Sequence, residues 1–185
     1  MKYIIYSIIA LIVNYNFSGP IIAKPNRIPL ESIYEITVTD INGVEKKLSD
    51  LKGKKILIVN VASRCGYTSQ YKDLQSYYLK NSDKIEIIGM PCNDFGWQEP
   101  SNNSEILNFC TTNYNVTFPI MSKVKIKTSP QHPLYNWLTS PEKNGWNSRE
   151  PSWNFCKYLI SESGELIGFY KSGILPQEIE SLKRL

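Results

Sequence analysis

The stretch KKILIVNVASRCGYTSQYKDLQSYYLKNS, residues 54–82, contains the patterns of three structural elements in succession. Its first third is an unbroken apolar run, which is typical of a strand covered on both faces of its sheet. Small and polar residues surround Cys65 in the middle. Apolar residues then recur at helical spacing: Tyr67, Tyr71, Leu74, Tyr78 and Leu79. The stretch therefore predicts a buried central strand, a turn that carries Cys65, and a helix.

The rest of the chain alternates between strand and helix patterns. Residues 32–53 predict a hairpin, since β-forming residues flank a D-x-N-G turn. Further strands are predicted over 85–91, 154–161 and 166–173, and helices over 101–114, 132–138 and 175–185. The lysines of KVKIK, residues 123–127, would share one solvated strand face. This order predicts an α/β domain with a mixed central sheet and helices on both faces.

The second predicted helix, residues 101–114, has both a start signal and an apolar face. Ser101 or Asn102 can cap its first turn. One broad face contains five residues: Ile106, Phe109, Cys110, Asn113 and Tyr114.

Length and composition indicate one globular domain. The chain has 185 residues, of which 42% are hydrophobic and 21% charged, and it has no repeat or linker. The net charge of +4 is mild, and the lysines are scattered without an arginine-rich arm. This pattern argues against nucleic-acid binding.

The N-terminus has the plan of a secretory signal peptide. Lys2 precedes an apolar run, residues 3–13, and small residues follow as far as Ala23. The run is shorter than the roughly 20 residues of a membrane-spanning helix, so we expect no stable membrane insertion. We therefore predict a leader over 1–23 and a folded domain over 24–185. An uncleaved anchor and an organelle-targeting leader are the alternatives.

The four cysteines are too widely spaced for a metal site or haem attachment. Cys65, Cys92, Cys110 and Cys156 form no C-x-x-C pair, and His132 is the only histidine. We therefore expect no metal or other cofactor. Each cysteine could be a small buried hydrophobe, and Cys92 and Cys156 are interpreted that way. Structural disulfides are a second possibility in an exported chain.

Cys65 differs from the others in its position. It follows a predicted central strand and precedes a helix, where free backbone N–H groups and the helix dipole favour a thiolate. Arg64 adds a positive charge, and Gly66 allows a ligand to approach the backbone. Thr68 stands where a thioredoxin-type motif has its second cysteine. These features favour a thiolate that attacks some electrophile other than a disulfide.

Four blocks resemble the glutathione peroxidase family, in order and at suitable distances. They are NVASRCGYT, GMPCNDFGWQEP, FC…YNVTFPI and WNFCKYLI, and the resemblance extends from about Ser32 to the C-terminus. It implies a thioredoxin-like fold and reduction of hydrogen peroxide and organic or lipid hydroperoxides, in response to oxidative stress.

The resemblance also implies roles for particular residues. Cys65 matches the peroxidatic residue, and Gln98, Trp153 and Asn154 match the other active-site positions. Neutral N–H donors of these types can stabilise a sulfur anion without neutralising it permanently. Without the resemblance, Trp153 would be interpreted as a core residue and Gln98 and Asn154 as turn residues.

Cys110 matches the resolving cysteine of relatives that form an internal disulfide. Such relatives are recycled by thioredoxin-like proteins in preference to glutathione, and either reductant is a possible partner here. Closing the bond would require the helix to open locally, and Thr111, Thr112 and Asn113 are mediocre helix formers. Cys92 is a second candidate for the same role.

The sequence departs from the family at three positions near the site: Asp94, Trp97 and Ser101. Asp94 would place a negative charge near the pocket and could affect Cys65 or the choice of hydroperoxide. Residues 139–155 are short compared with the insertion that tetrameric relatives use for assembly. We therefore expect a monomer with an open site.

The sequence leaves open two functions besides that of a peroxidase recycled by thiols. The domain could be a peroxide-sensing relay that passes a disulfide to a partner protein, or a passive exported module with structural disulfides. The leader predicts a periplasmic, secreted or organelle-lumen location, and a cytoplasmic one if the leader is not used. A disulfide mechanism would need a supply of thiols in that compartment.

Overall fold

The computed structural model describes residues 28–181. The predicted leader, residues 1–23, lies outside the described residues, as do residues 182–185. The strands are β1 (Thr37–Thr39), β2 (Glu45–Lys47), β3 (Lys55–Val61), β4 (Ile85–Pro91), β5 (Lys157–Ile160) and β6 (Leu166–Tyr170). The helices are α1 (Gln70–Asn81), α2 (Asn103–Tyr114), α3 (Pro133–Thr139), α4 (Pro141–Asn144) and α5 (Pro176–Ser181).

The central sheet has four strands in the order β4-β3-β5-β6. β3 pairs with β4 in parallel and with β5 antiparallel, and β5 pairs with β6 antiparallel. Six of the seven residues of β3 are buried and only Lys55 is half-buried. The apolar run that opens the sequence analysis is therefore the central strand, which confirms the predicted mixed sheet.

Alternate residues of β3 enter two separate core layers, as the strand period requires. Ile56 and Ile58 pack on the side of α3, with Tyr135 and Trp137. Leu57, Val59 and Val61 pack on the side of α1 and α2, with Tyr71, Leu74, Ile106 and Cys110. Helices thus cover both faces of the sheet, as predicted.

The N-terminal hairpin is confirmed, although its strands are short. The Asp40 carboxylate accepts the N–H groups of Asn42 and Val44, both at 2.9 Å, and Gly43 supplies a φ of +86°. Short 3₁₀ turns at Ile33–Glu35 and Leu48–Leu51 flank the hairpin.

Residues 118–126 do not form a continuous strand and make only isolated bridges. Ile120 bridges to Gly89 in β4, Val124 bridges to Cys92 directly after β4, and Met121 bridges to Asp40 in the hairpin. Pro119 has no N–H to donate, so a continuous ladder cannot form there. The three lysines of residues 123–127 are exposed, as predicted.

Two of the five apolar residues at helical spacing in the first predicted helix are exposed. α1 begins at Gln70, so Tyr67 remains in the preceding turn and is 40% exposed. Leu79 is 68% exposed because its position on α1 lies away from the face of Tyr71 and Leu74.

The start of α2 and most of its buried face are as predicted. Asn102 is the N-cap, and its side chain accepts the N–H of Glu105 while the Glu105 carboxylate accepts the N–H of Asn102. Ile106 and Cys110 are fully buried, one turn apart. Asn113 is exposed, however, so the prediction that it lies on the buried face is wrong. Its side-chain amide donates instead to the carbonyl of Phe109 in its own helix.

Candidate active site

Cys65 lies in the turn between β3 and α1 and is 9% exposed. Its Sγ accepts the backbone N–H of Tyr67 at 3.4 Å. A Cβ added at Gly66 would meet no atom within 4 Å, so the backbone beside the sulfur faces open space. A small ligand can therefore approach the turn from this side.

Thr68 holds the Cys65 turn closed with its hydroxyl. Oγ1 accepts the backbone N–H of Cys65 at 2.9 Å and donates to the carbonyl of Ala62 at 2.8 Å. The backbone N–H of Thr68 also donates to the Cys65 carbonyl at 3.0 Å. Where a thioredoxin-type motif has a second sulfur, this chain has a buried hydroxyl that fixes the first sulfur in place.

Gln98 and Asn154 are in direct contact, although they are far apart in sequence. The Asn154 side-chain amide donates to Oε1 of Gln98 at 3.0 Å and to the carbonyl of Phe95 at 3.3 Å. The Gln98 carbonyl accepts the backbone N–H of Arg64 at 3.0 Å, which ties this pair to the neighbour of Cys65. Asn154 is fully buried, and its Oδ1 has no hydrogen-bond partner.

Asn60, at the end of β3, attaches the Trp153–Phe155 loop to the central strand. Its side-chain amide donates to the carbonyl of Trp153 at 2.9 Å, and its own carbonyl accepts the N–H of Phe155 at 2.6 Å. The Trp153 ring lies edge-on to Phe95, with ring centroids 6.4 Å apart, and is 38% exposed.

The backbone is strained beside two of the predicted site residues. Trp97, next to Gln98, has a φ of +54°, and Phe155, next to Asn154, has a φ of +64°. Side chains of these types rarely occupy this region. Strained backbone of this kind clusters at functional sites, where the surrounding structure holds it. Trp97 is also 82% exposed.

The structure thus places Cys65, Gln98, Trp153 and Asn154 at one end of the sheet, on loops joined by hydrogen bonds. Among the described residues, the only hydrogen bond to Cys65 Sγ comes from the backbone N–H of Tyr67. The side-chain amide of Asn154 donates to Gln98 and Phe95 instead. The roles of Gln98, Trp153 and Asn154 toward the sulfur stay predictions.

Cys110 belongs to the same core layer as Cys65, on the side of α1 and α2. Burial raises the pKa of its thiol to about 11, and the charge of Glu99 adds to that rise. Cys110 is therefore a protonated thiol at neutral pH while α2 is intact. All four cysteines are free thiols.

Cys92 and Cys156 are fully buried, as interpreted from the sequence. Burial raises the pKa of Cys92 to about 12. Neither thiol has the open surroundings of Cys65.

The carboxylate of Asp94 accepts hydrogen bonds from the backbone of the loop at residues 126–127. It accepts the N–H groups of Ile126 and Lys127 at 2.6 and 2.8 Å. Burial opposes ionisation, but these donors prevail and lower the pKa of Asp94. Asp94 therefore holds residues 126–128 against the site loop. Ser101 also binds a nearby segment, since its backbone carbonyl accepts a hydrogen bond from Lys123 Nζ at 2.7 Å.

Sequence reasoning missed two buried charged residues that support the site. Glu99 is fully buried, and one of its oxygens accepts both the N–H and the hydroxyl of Ser63 at 2.9 Å. Burial raises its pKa, and the Ser63 bonds oppose that rise. Neither spacing nor periodicity marks Glu99; its place beside Gln98 was the one available signal.

Lys157 is the second missed residue. Its Nζ is fully buried and donates to Gln70 Oε1 at 2.7 Å, the Phe155 carbonyl at 2.8 Å and the Ser172 carbonyl at 3.5 Å. It thereby joins α1, the Trp153–Phe155 loop and the segment after β6. Burial lowers its pKa to about 7.

Within residues 28–181, no group of three or more His, Cys, Asp and Glu side chains could hold a metal ion. No helix in that part of the chain is long and apolar enough to cross a membrane.

A family model described as glutathione peroxidase matches residues 33–139. The chain belongs to the glutathione peroxidase family. Glutathione peroxidase-like peroxiredoxin 2 of Saccharomyces cerevisiae is 43% identical over 156 residues, which cover 82% of this chain and 96% of the relative. Hydroperoxy fatty acid reductase gpx1 of a Synechocystis strain is 40% identical over 156 residues, covering 80% and 91%.

Solved structures confirm the thioredoxin-like fold. The crystal structure of Trgpx in apo form matches with a TM-score of 0.64 and 36% identity, covering 83% of this chain and 93% of that one. A thioredoxin-like protein from Aeropyrum pernix matches with a TM-score of 0.55 and 14% identity, covering 81% and 89%, which shows likeness of fold alone. This glutathione peroxidase family member is thus a peroxidase, an oxidoreductase with peroxide substrates and thiol reductants.

The substitution Thr68→Val should destabilise the protein and slow the reaction of Cys65. It leaves the Cys65 N–H and the Ala62 carbonyl without their partner, at a cost of about 1–3 kcal/mol. Urea unfolding and the rate of Cys65 oxidation by hydrogen peroxide measure the two effects. Thr68→Ser keeps the hydroxyl and is the control. Equal behaviour of Thr68→Val and wild type would show that the hydroxyl does not hold the turn.

Lys157 should make the protein more stable as pH rises above 7. Its folded pKa of about 7 lies below its ordinary value of 10.5, so between these values the unfolded chain binds the extra proton. The free energy of unfolding should therefore rise with pH by up to about 1.4 kcal/mol per unit.

Urea unfolding from pH 7 to about 8, below the ordinary cysteine pKa of about 8.5, measures this slope. Lys157→Met lacks the titrating group and should lose the rise. An identical slope in wild type and Lys157→Met would contradict the assignment.

Proposed function

We propose that this protein reduces hydrogen peroxide and organic or lipid hydroperoxides through Cys65, in defence against oxidative stress. The observation that carries the proposal is the placement of Cys65 on an open turn beside the bonded Gln98–Asn154 pair and Trp153. The resemblance of the four sequence blocks assigns these residues to the peroxidase site.

The first step forms one bond and breaks one. The Cys65 thiolate attacks one peroxide oxygen, the S–O bond forms, and the O–O bond breaks. The leaving oxygen takes a proton and departs as water or an alcohol, and Cys65 becomes a sulfenic acid. The Tyr67 N–H, at 3.4 Å from Sγ, supports the anionic sulfur before attack. The side-chain N–H groups of Gln98, Trp153 and Asn154 would orient the peroxide.

Cys110 resolves the sulfenic acid in this proposal. Its sulfur attacks Cys65, a disulfide forms, and the hydroxyl of the sulfenic acid leaves as water. The buried thiol with a pKa of about 11 cannot do this while α2 is closed. Opening the C-terminal half of α2 would expose Cys110 to water and remove the burial that keeps it protonated.

The end of α2 is suited to opening. The hydroxyl of Thr111 donates to the Leu107 carbonyl at 2.9 Å, and the amide of Asn113 donates to the Phe109 carbonyl at 3.0 Å. Such side chains compete with the helical backbone bonds. The helix then ends at Tyr114, and the next residue, Asn115, has a left-handed φ of +51°.

A thioredoxin-like protein would then reduce the disulfide, and glutathione is the second candidate reductant. An internal disulfide presents the bond that a dithiol donor reduces by exchange. We further propose that the protein is a monomer, because residues 139–155 offer little chain for an assembly surface. Its proposed location is the periplasm, the exterior or an organelle lumen, which the leader pattern supports.

Cys65→Ser should abolish peroxide consumption in an assay coupled to thioredoxin and its reductase. Cys110→Ser should retain the first oxidation of Cys65 but lose most steady-state turnover with thioredoxin, because no disulfide forms. Cys156→Ser, at a buried thiol outside the proposed site, is the matched control and should keep wild-type activity.

Full activity of Cys65→Ser would contradict the proposal. Unchanged turnover of Cys110→Ser would exclude Cys110 as the resolving residue and leave Cys92 to be tested. Trapping of Cys110→Ser in a mixed disulfide with a partner other than thioredoxin would favour the relay function.

Sequencing the N-terminus of the mature protein from its native source should yield Lys24 as the first residue. Cell fractionation should place the same species outside the cytoplasm. Recovery of Met1 in a soluble cytoplasmic fraction would contradict both the leader and the location.

A further inference from the structure

A pocket lies at the β4 edge of the central sheet, away from the Cys65 turn. Four segments line it: the hairpin, the 3₁₀ turn Leu48–Leu51, the first half of β4 and residues 119–121. Its volume is about 340 Å³, which lies in the range of sites for small organic molecules. Of the described residues that line it, none belongs to the candidate active site. We refer to it as the Glu86 pocket, after the glutamate of β4 that lines it.

The walls of the Glu86 pocket are mainly apolar. Val38, Leu48, Ile88 and Met121 line it, and all four belong to the core layer on the side of α3. Their side chains are buried and therefore held by the core behind them. An apolar molecule that enters the pocket leaves water and gains the free energy of burial.

Backbone hydrogen bonds join the segments that form the pocket. The N–H of Ile41, in the hairpin, donates to the Ile120 carbonyl at 3.0 Å. The N–H of Met121 donates to the Gly89 carbonyl, in β4, at 2.9 Å. The pocket is thus formed before a ligand arrives, which reduces the entropy lost on binding.

The carboxylate of Glu86 interrupts these apolar walls. Glu86 is 8% exposed, and its Oε1 is buried with no hydrogen-bond partner. Burial raises the pKa of Tyr78 to about 12 and the charge of Glu86 adds to that rise, yet no hydrogen bond reaches Oε1. A buried carboxylate oxygen without a donor is unfavourable. Because the last torsion of a glutamate side chain is broad, its oxygens can turn toward a donor in the pocket at little cost.

The charges around the pocket favour a cation over an anion. Three carboxylates line it, from Asp40, Asp50 and Glu86, against two ammonium groups, from Lys46 and Lys47. Lys46 Nζ lies 3.7 Å from the Asp40 carboxylate, so this lysine is already paired. Within the described part of the chain, Glu86 forms no salt bridge. A ligand with a positive charge therefore complements the pocket.

We propose that the Glu86 pocket binds a small apolar molecule with a primary ammonium group, and that Glu86 accepts the ammonium hydrogens. The apolar part of the molecule lies against Leu48, Ile88 and Met121. The ammonium group supplies the donor that Oε1 lacks. This inference goes beyond the proposed function, because the pocket is separate from Cys65 and binding there needs no peroxide.

The test compares three indole compounds that differ at the end of their side chain: tryptamine with an ammonium, tryptophol with a hydroxyl, and indole-3-acetate with a carboxylate. Isothermal titration calorimetry at pH 7 and low salt measures each Kd. Wild type should bind tryptamine about tenfold more tightly than tryptophol, and indole-3-acetate more weakly than either. Added salt should weaken the binding of tryptamine.

NMR of the backbone amides locates the bound compound. Tryptamine should shift the amide signals of Leu48, Ile88 and Met121 and leave those of Cys65 and Trp153 unchanged. Shifts confined to the Cys65 turn would overturn the proposal, since the compound would then bind at the candidate active site.

Glu86→Gln keeps the size of the side chain and removes its charge. It should weaken the binding of tryptamine about tenfold and keep the wild-type Kd for tryptophol. Glu45→Gln is the matched control, because Glu45 is exposed on β2 of the same hairpin but does not line the pocket. It should keep the wild-type Kd for tryptamine.

An unchanged Kd of Glu86→Gln for tryptamine would overturn the proposal. Equal Kd values of wild type for tryptamine and tryptophol would also overturn it, and this comparison needs no variant to fold. Peroxide consumption enters none of these measurements, so their failure and a failure of the proposed chemistry of Cys65 are distinguishable.

Discussion

Asn60 connects the two halves of the candidate site. It is the second-last residue of the central strand, and it holds the Trp153–Phe155 loop by a side-chain bond to Trp153 and a backbone bond from Phe155. The same strand leads directly into the turn with Cys65. Because one rigid strand fixes both loops, the sulfur and the Trp153–Asn154 pair keep one relative position, as a preorganised site requires.

Several residues around Asn60 have conformations or surroundings that are unfavourable in free energy. Trp97 and Phe155 have positive φ values, Asn154 has a buried carbonyl oxygen without a partner, and Glu99 and Lys157 are fully buried. Each feature is unfavourable alone. The two-layer core around β3 supplies the stability that allows them, and they are concentrated at the end of the sheet where the loops meet.

The two cysteines of the proposed cycle have opposite environments. Cys65 sits under an open turn with a backbone N–H on its sulfur, whereas Cys110 is sealed in the core and kept protonated by burial. A peroxide can thus meet Cys65 while Cys110 is out of reach. In the proposed cycle, the polar C-terminal half of α2 would limit the free energy needed to expose Cys110, so local helix stability would set the order of the two steps.

The sequence by itself determined the order of elements and the position of Cys65. Continuous apolar runs and helical spacing are local patterns, and they gave β3, β4, α1 and the capped start of α2 nearly as the structure has them. The likeness of four sequence blocks to one family pointed to Gln98, Trp153 and Asn154. Local patterns failed for Tyr67, which lies in the turn before α1. They also failed for Leu79 and Asn113, because the exposure of a side chain depends on how the whole helix sits on the sheet.

Only the tertiary structure decided which residues support the site. Glu99 and Lys157 have no distinctive spacing, and Thr68 was marked only by the cysteine that it replaces. The roles of all three arise from partners such as Ala62, Ser63 and Ser172 that the fold brings to them. The Glu86 pocket likewise joins the hairpin, β4 and residues 119–121, which are far apart in the chain. Periodicity reports the neighbours of a residue within its own helix or strand, whereas buried charges and pockets depend on contacts across the fold, which no single segment contains.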